Sequence, residues 1–478
     1  MKIAIAGAAG FVGRALAAQL SARHQVVALT RRAPSGPQTS AIEWRTCDLF
    51  SALETERALE GCDAAVYLVH SMLPSARLTQ ASFADLDLIL ADNFARGAAR
   101  AGLKRIVYLG GIIPDDPELS AHLTSRREVE ETFRAAATPL VGLRAGLVIG
   151  PGGSSFRIID QLVRRLPLMA LPAWTRTPTQ PIALEDVTAI LERCLDAPGI
   201  EGQSFDIAGP DITDYAGLLS GTARALGLRR RTFPVRWFSP GLSTLWVSLI
   251  TGAPRELVAP LVQSLRHRMV AGDRRLQEQL GVPGLGLEAA LHAALAPQPP
   301  PAPAAALVPA TPQPARSLTL AARSAGPEHD VRSVQRLPLP AGWSAAQVAS
   351  EYQRWLPRFF RPLLRVEAGA DGSCRFLVRG LRAPLLVLRL SDERSSPERQ
   401  LFYVTGGLLA ETGGPRRGRL EFREVLGGAA VLAGIHDFTP TLPWWIYQAT
   451  QALVHLLVMR SFGRHLGRLR ESVSLQTS

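Results

Sequence analysis

Gly7, Gly10 and Gly13 stand three residues apart, directly after an apolar run at 3–6 and at the opening of a helical pattern. A tight turn from a buried strand into a helix aims backbone N–H groups and the positive end of the helix dipole at one spot. That spot is a seat for a phosphate or pyrophosphate. Gly7 permits the turn, Gly10 lets the backbone approach the anion, and Gly13 lets the helix pack closely on the strand. Ala9, Phe11 and Val12 supply the rest of the loop. An isolated glycine-rich heptapeptide can be an ordinary turn; the strand before it and the helix after it favour the anion site.

A second apolar run, 26–30, ends in Arg31 and Arg32. An acid at this point would accept hydrogen bonds from free ribose hydroxyls, whereas arginine pairs with a 2′-phosphate. The two arginines therefore predict NADP(H) rather than NAD(H), against the plainer reading of a solvated basic turn. Arg14, next to Gly13, either adds to that phosphate site or faces solvent.

These groups need a scaffold. Runs at 3–6, 26–30, 64–69, 106–109 and 140–144 read as strands, with helices at 15–21, 83–101 and 125–137. Such alternation predicts an α/β fold, a doubly wound parallel-sheet Rossmann domain with helices on both faces. Helices at 155–165, 184–197 and 214–226 and a strand at 204–208 would build a smaller substrate-side region, which puts the domain at 1–285. Residues 297–314 are almost entirely Pro, Ala and Gln, so 286–327 reads as an extended linker. A separate α+β domain follows at 328–472. It has a strand at 331–337, a helix at 344–355, strands at 375–378, 385–390, 401–405, 420–425 and 430–436, and one amphipathic helix from 444 to 469. The order predicts an antiparallel sheet with a long C-terminal helix, loosely similar to helix-grip domains that enclose an apolar ligand. Aromatic residues such as Phe402, Tyr403, Trp444 and Trp445 would line that space or simply fill a core.

The spacing GxxGxxG in IAIAGAAGFVG is continued by CDL at 47–49, VYLVHSM at 66–72, RIVYLGG at 105–111, LRAGLVIGPGG at 143–153, QPIALEDV at 180–187 and FDIAGPD at 205–211. Together these resemble the atypical, extended short-chain dehydrogenase/reductases, and among them the bacterial NmrA-like NAD(P)H-binding proteins, over residues 1–280. The resemblance implies that Asp48 and Leu49 meet the adenine; the alternative for Asp48 is a turn residue or helix cap. It implies that Val69, His70 and Ser71, after the fourth strand, lie on the nicotinamide side. Gly110 and Gly111 replace the stretch that carries the family's serine. The family's YxxxK falls on 120–130, where aligning Arg126 with the lysine puts His122 at the tyrosine. In one reading His122 donates the proton and Arg126 holds the nicotinamide ribose. In the other the chemistry is lost and the domain senses or stores a dinucleotide.

The apolar stretch 237–266, closed by Arg266-His267-Arg268, reads first as a buried helix pair or domain interface. Its alternative is a peripheral membrane contact or an oily substrate pocket. The composition is globular: 47% hydrophobic, 20% charged, net charge +12, with lysine only at positions 2 and 104. A basic balance suits anionic partners, yet no helix-turn-helix or zinc finger is present, so no nucleic acid is expected. Cys47, Cys62, Cys194 and Cys374 form no CxxC pair, which speaks against a metal or a disulfide framework. The N-terminal apolar run is too short for a signal peptide, and 443–459 is broken by Gln448, Gln451 and His455. A cytoplasmic protein is expected. HExxH, GxSxG and a P-loop lysine are absent. The expected function is an NADP-dependent oxidoreductase of a small apolar carbonyl, enone or quinone-like substrate. The alternative is a non-catalytic dinucleotide-sensing, assembly or regulatory protein.

Overall fold

Ile3, Ala4, Ile5 and Ala6 are all fully buried, and they divide by alternation between two separate cores. Ile3 and Ile5 join Leu16 and Leu20 of the helix Phe11–Leu20 and Val187 and Ile190 of the helix Leu184–Arg193. Ala4 and Ala6 join Leu59, Phe94 and Phe133 from three other helices. A strand buried on both faces belongs to the middle of a parallel sheet covered on each side.

A computed structural model describes residues 1–31, 41–70, 78–235, 240–252, 255–296, 331–369, 372–412 and 417–477. The chain falls into two units, Met1–Met72 with Leu90–Ser317, and Leu73–Ile89 with Leu318–Ser478. The expected linker tract at 297–314 lies outside the described residues.

The first unit is built on a seven-stranded sheet. Its strands run Gln203–Ile207, Leu140–Ala145, Arg105–Gly111, Ala64–Tyr67, Lys2–Ala6, Gln25–Thr30 and Ile42–Thr46 across the sheet, every neighbouring pair parallel. The order reverses between Lys2–Ala6 and Ala64–Tyr67, as in a doubly wound Rossmann sheet. Three expectations need correction. Ile42–Thr46 is a strand that the alternating sequence IEWRT hid among polar neighbours. Gln203–Ile207 and Leu184–Arg193 belong to the main sheet and its covering layer, because Phe205, Ile207, Val187 and Ile190 join the central core. The helix expected at 125–137 begins at Ala121, because the Ser120 side chain accepts the Leu123 N–H at 3.3 Å and caps it.

The second unit is an eight-stranded sheet in the order Leu364–Ala368, Ser373–Val378, Leu386–Leu390, Arg399–Gly406, Arg419–Val425, Ala430–Phe438, Val331–Pro338, Leu78–Gln80. Neighbours are antiparallel except Leu78–Gln80, which pairs parallel with Val331–Ser333. Val348, Tyr352 and Trp355 of the helix Ala345–Phe359 share one core with Met459, Phe462 and Leu466 of the helix Gln451–Thr477. The single helix expected over 444–469 is broken: Trp444–Ala449 ends where Thr450 leaves helical angles (φ −126°, ψ −80°), and the second helix runs on to Thr477.

Candidate functional site

The glycine loop leaves the end of Lys2–Ala6 with Gly7 at φ +88°, a conformation that side chains disfavour. Gly10 N–H bonds back to the Gly7 carbonyl at 2.9 Å, closing the turn. Gly10 is then the N-cap of Phe11–Leu20 and offers no side chain to the first-turn N–H groups, which leaves them for an anion. At Gly13 a Cβ would stand 2.2 Å from the Gly7 carbonyl oxygen, so helix and strand approach as closely as backbone allows. Val12 packs on the central core. Ala9 and Phe11 are half-buried. The Phe11 ring lies against the loop at 150–153, within 3.0 Å of where a Cβ at Gly150 or Gly153 would be.

The register puts the other candidates at the same edge. Ala6 pairs with Leu29 and Tyr67, Thr30 with Thr46, and Tyr67 with Tyr108. Arg31, Asp48 and Val69 therefore follow the carboxyl ends of their strands, and Gly110 is the last residue but one of its own, at the edge where doubly wound sheets bind ligands. Arg31 is exposed there, Val69 packs partly on the core, and Arg32 and Ser71 lie outside the described residues. Arg14 Nε is buried with no hydrogen-bond partner among the described residues. Asp48 Oδ1 accepts the Phe50 N–H at 3.2 Å, and its own N–H donates to Glu54. Leu49 is a core residue whose carbonyl accepts from Asn93 at 2.9 Å. The turn role of Asp48 is thus built in, beside any contact with an adenine.

His122 and Arg126 lie one turn apart on Ala121–Arg134. Arg126 is buried and His122 half-buried, with its Nδ1 enclosed and without a partner among the described residues. Burial, and then the Arg126 charge, bring the His122 pKa down to about 4. Desolvation of the ring, and then the Arg126 and His122 charges, lower the His70 pKa well below its ordinary value, although the residue as a whole is exposed. Two uncharged imidazoles and one guanidinium therefore share a single electrostatic neighbourhood. Gly111 faces this group: a Cβ there would lie 3.8 Å from Leu123 and 3.9 Å from Arg126. A Cβ at Gly110 would instead meet the Tyr108 ring at 2.8 Å. Ser125 is fully buried.

Sequence reasoning missed how the start of this helix is held. His267 Nε2 accepts the Ser120 backbone N–H at 3.2 Å, His267 Nδ1 lies 2.9 Å from Asp116 Oδ2, and the Ser120 and Ser264 hydroxyls meet at 2.9 Å. Asp116 is only four residues before Ser120, yet His267 is 147 residues away. No local signal announces that pairing.

The residues fit a dinucleotide. The loop is a cradle that side chains would fill, and Arg14 Nε and His122 Nδ1 are enclosed polar atoms without a partner among the described residues. Residues 7–139 match the NAD(P)H-binding family model. The chain is 27% identical over 247 residues to a ceramide reductase of Caulobacter vibrioides, covering 51% of this chain and 75% of that protein. It is 33% identical over 112 residues to the auxiliary protein GraX of Staphylococcus aureus, 23% of this chain and 36% of that one. The chain thus spans only about a third of the staphylococcal relative. A solved nucleoside-diphosphate-sugar epimerase of Staphylococcus aureus has the same fold, with TM-score 0.50 and 15% identity over 61% of this chain and all of that one. Residues 7–139 of the first unit thus match an NAD(P)H-binding family, and the unit shares the doubly wound fold of that epimerase.

Proposed function

We propose that this chain is an NADP(H)-dependent reductase of an apolar carbonyl, enone or quinone-like substrate, with His122 delivering the proton and Arg126 holding the nicotinamide ribose. One observation carries the reading: His122, with a buried and unsatisfied Nδ1, stands one turn from a buried arginine on the helix beside Gly111. The similarity to a protein named ceramide reductase supports an apolar substrate. Arg31, exposed at the strand end, and the enclosed Nε of Arg14 support a 2′-phosphate and hence NADP(H).

When bound, the dinucleotide supplies a hydride for the electrophilic carbon. The first-turn N–H groups of Phe11–Leu20 hold its phosphates. Asp48 and Leu49 border the adenine end, and Val69, His70, Gly110 and Gly111 border the nicotinamide end. His122 gives a proton to the substrate oxygen, or to the enolate that forms when an enone accepts hydride, and regains it from solvent. Free His122 is neutral at pH 7. The negative phosphates of a bound dinucleotide offset the Arg126 charge and favour its protonation.

The test is NADPH consumption by the full chain with a panel of apolar aldehydes, ketones, enones and quinones. Stoichiometric reduced product is expected. Tight NADPH binding with no turnover on any class would overturn the reductase reading. A non-catalytic dinucleotide sensor is the second reading, favoured by the neutral His122 in place of the family's tyrosine.

A further inference from the structure

Six large apolar side chains are exposed on the described residues of the first unit, and four of them, Leu168, Phe233, Leu245 and Leu249, lie on the strand pair that follows the helix Ser154–Arg165 or on the helix packed against it. The strands Leu168–Pro172 and Arg231–Val235 pair in parallel, Arg231 opposite Leu168. Alternation then sends Leu168, Arg231 and Phe233 out of the same face, while Met169 between them is buried. The helix Pro240–Thr251 packs on Ser154–Arg165, and the Arg165 guanidinium donates to the Ile250 carbonyl beside Leu249. Leu245 and Leu249, four residues apart, project together, and Leu249 is 79% exposed. Exposed apolar side chains that cluster in this way mark interaction surfaces.

Charge identifies the partner. Residues 227–269 hold seven arginines and a single acid, Glu256. Arg229 and Arg231 are exposed beside the apolar set. Exposed leucine and phenylalanine rimmed by cations fit an anionic bilayer, in which the apolar tips enter the acyl boundary and the guanidinium groups meet phosphates. Among the described residues no helix is long and apolar enough to cross a membrane, so the contact is one of surface docking. We infer that this face of the first unit docks on anionic membranes. The docked helix packs on Arg255–Ser264, whose Ser264 meets Ser120 at the head of the helix that carries His122. In this respect the inference rests on the proposed reductase site, which would draw its apolar substrate from the bilayer.

The test is co-sedimentation of the full chain with vesicles, without dinucleotide or substrate, so that its failure leaves the reductase reading intact. Binding to vesicles of equal phosphatidylglycerol and phosphatidylcholine is expected. It should weaken about tenfold or more in Leu249→Asp and in the double variant Arg229→Glu/Arg231→Glu, and fall steeply with added salt. All three substitutions are at exposed positions, and unchanged urea unfolding would verify the fold. Equal binding to pure phosphatidylcholine, or no vesicle binding, would overturn the inference. So would unchanged binding by both variants, or loss of binding only on Leu453→Asp in the exposed face of the C-terminal helix. A self-associated wild type that Leu249→Asp turns monomeric would make the face a protein interface and also overturn it.

Discussion

His267 accepts the Ser120 backbone N–H at 3.2 Å, and so fixes the first turn of the helix on which His122 follows two residues later. Asp116 at 2.9 Å holds the other ring nitrogen. Loss of the imidazole leaves a buried N–H without its acceptor, which costs about 1–3 kcal/mol. His267→Ala should lower urea stability by that amount. Turnover should fall while NADPH affinity changes little, because the glycine loop is untouched. Unchanged stability would show that the contact contributes nothing.

NADPH should bind at least tenfold tighter than NADH, a difference of about 1.4 kcal/mol. Arg31→Ala should narrow the ratio, and Arg14→Ala should narrow it further. Calorimetric titration of both cofactors measures this. Equal affinities in the wild type would refute the 2′-phosphate assignment.

Glycine substitutions should sort by what surrounds them. At Gly13 the obstacle is backbone, 2.2 Å away, and cannot move aside. Gly13→Ala should therefore abolish dinucleotide binding and cost on the order of 3 kcal/mol of stability. Gly111→Ser has room and should fold normally, whereas Gly110→Ser must displace the Tyr108 ring. Thermal unfolding of the three variants ranks them.

The strands at 2–6, 25–30 and 64–67 were legible because a strand buried on both faces is a continuous apolar run. Ile42–Thr46 was not, since an edge strand with one wetted face reads as mixed sequence. The glycine loop was legible because backbone constraint is written directly into residue type. The His267–Ser120 contact was not, because a hydrogen bond across 147 residues depends on the finished fold. The neutral state of His122 was likewise hidden. Residue type alone implies titration near neutrality, while burial and then Arg126 lower it to about 4.

That value predicts a pH dependence. The His122 pKa is about 4 in the folded chain, against about 6.5 for a free imidazole. Between these values the unfolded chain binds more protons, so stability rises with pH and is lost on acidification. From pH 7 to pH 5 the wild type should lose about 2 kcal/mol more than His122→Ala. Urea midpoints at the two pH values give the comparison. NADPH binding near pH 5 should also take up protons in the wild type and less in the variant. Calorimetry in buffers of different ionisation heat reads that uptake.

The decisive variant for the chemistry is again His122→Ala. Hydride arriving at a carbonyl carbon leaves negative charge on oxygen, and a proton must meet it. Aligning Arg126 with the lysine of the resembling family puts His122 at its tyrosine, and Ser125 is fully buried. Four residues separate His122 from Arg126, so both project from one side of the helix. Turnover by His122→Ala should fall on the order of 10²–10⁴-fold, the usual contribution of a positioned acid, with NADPH affinity retained. Arg126→Ala should weaken the cofactor as well. Wild-type kcat/KM should rise as pH falls through the range in which the ring gains its proton, and the variant should lose that slope. A variant with wild-type turnover and the same pH profile would remove His122 from the mechanism. It would leave the proton to solvent or to the substrate's own groups.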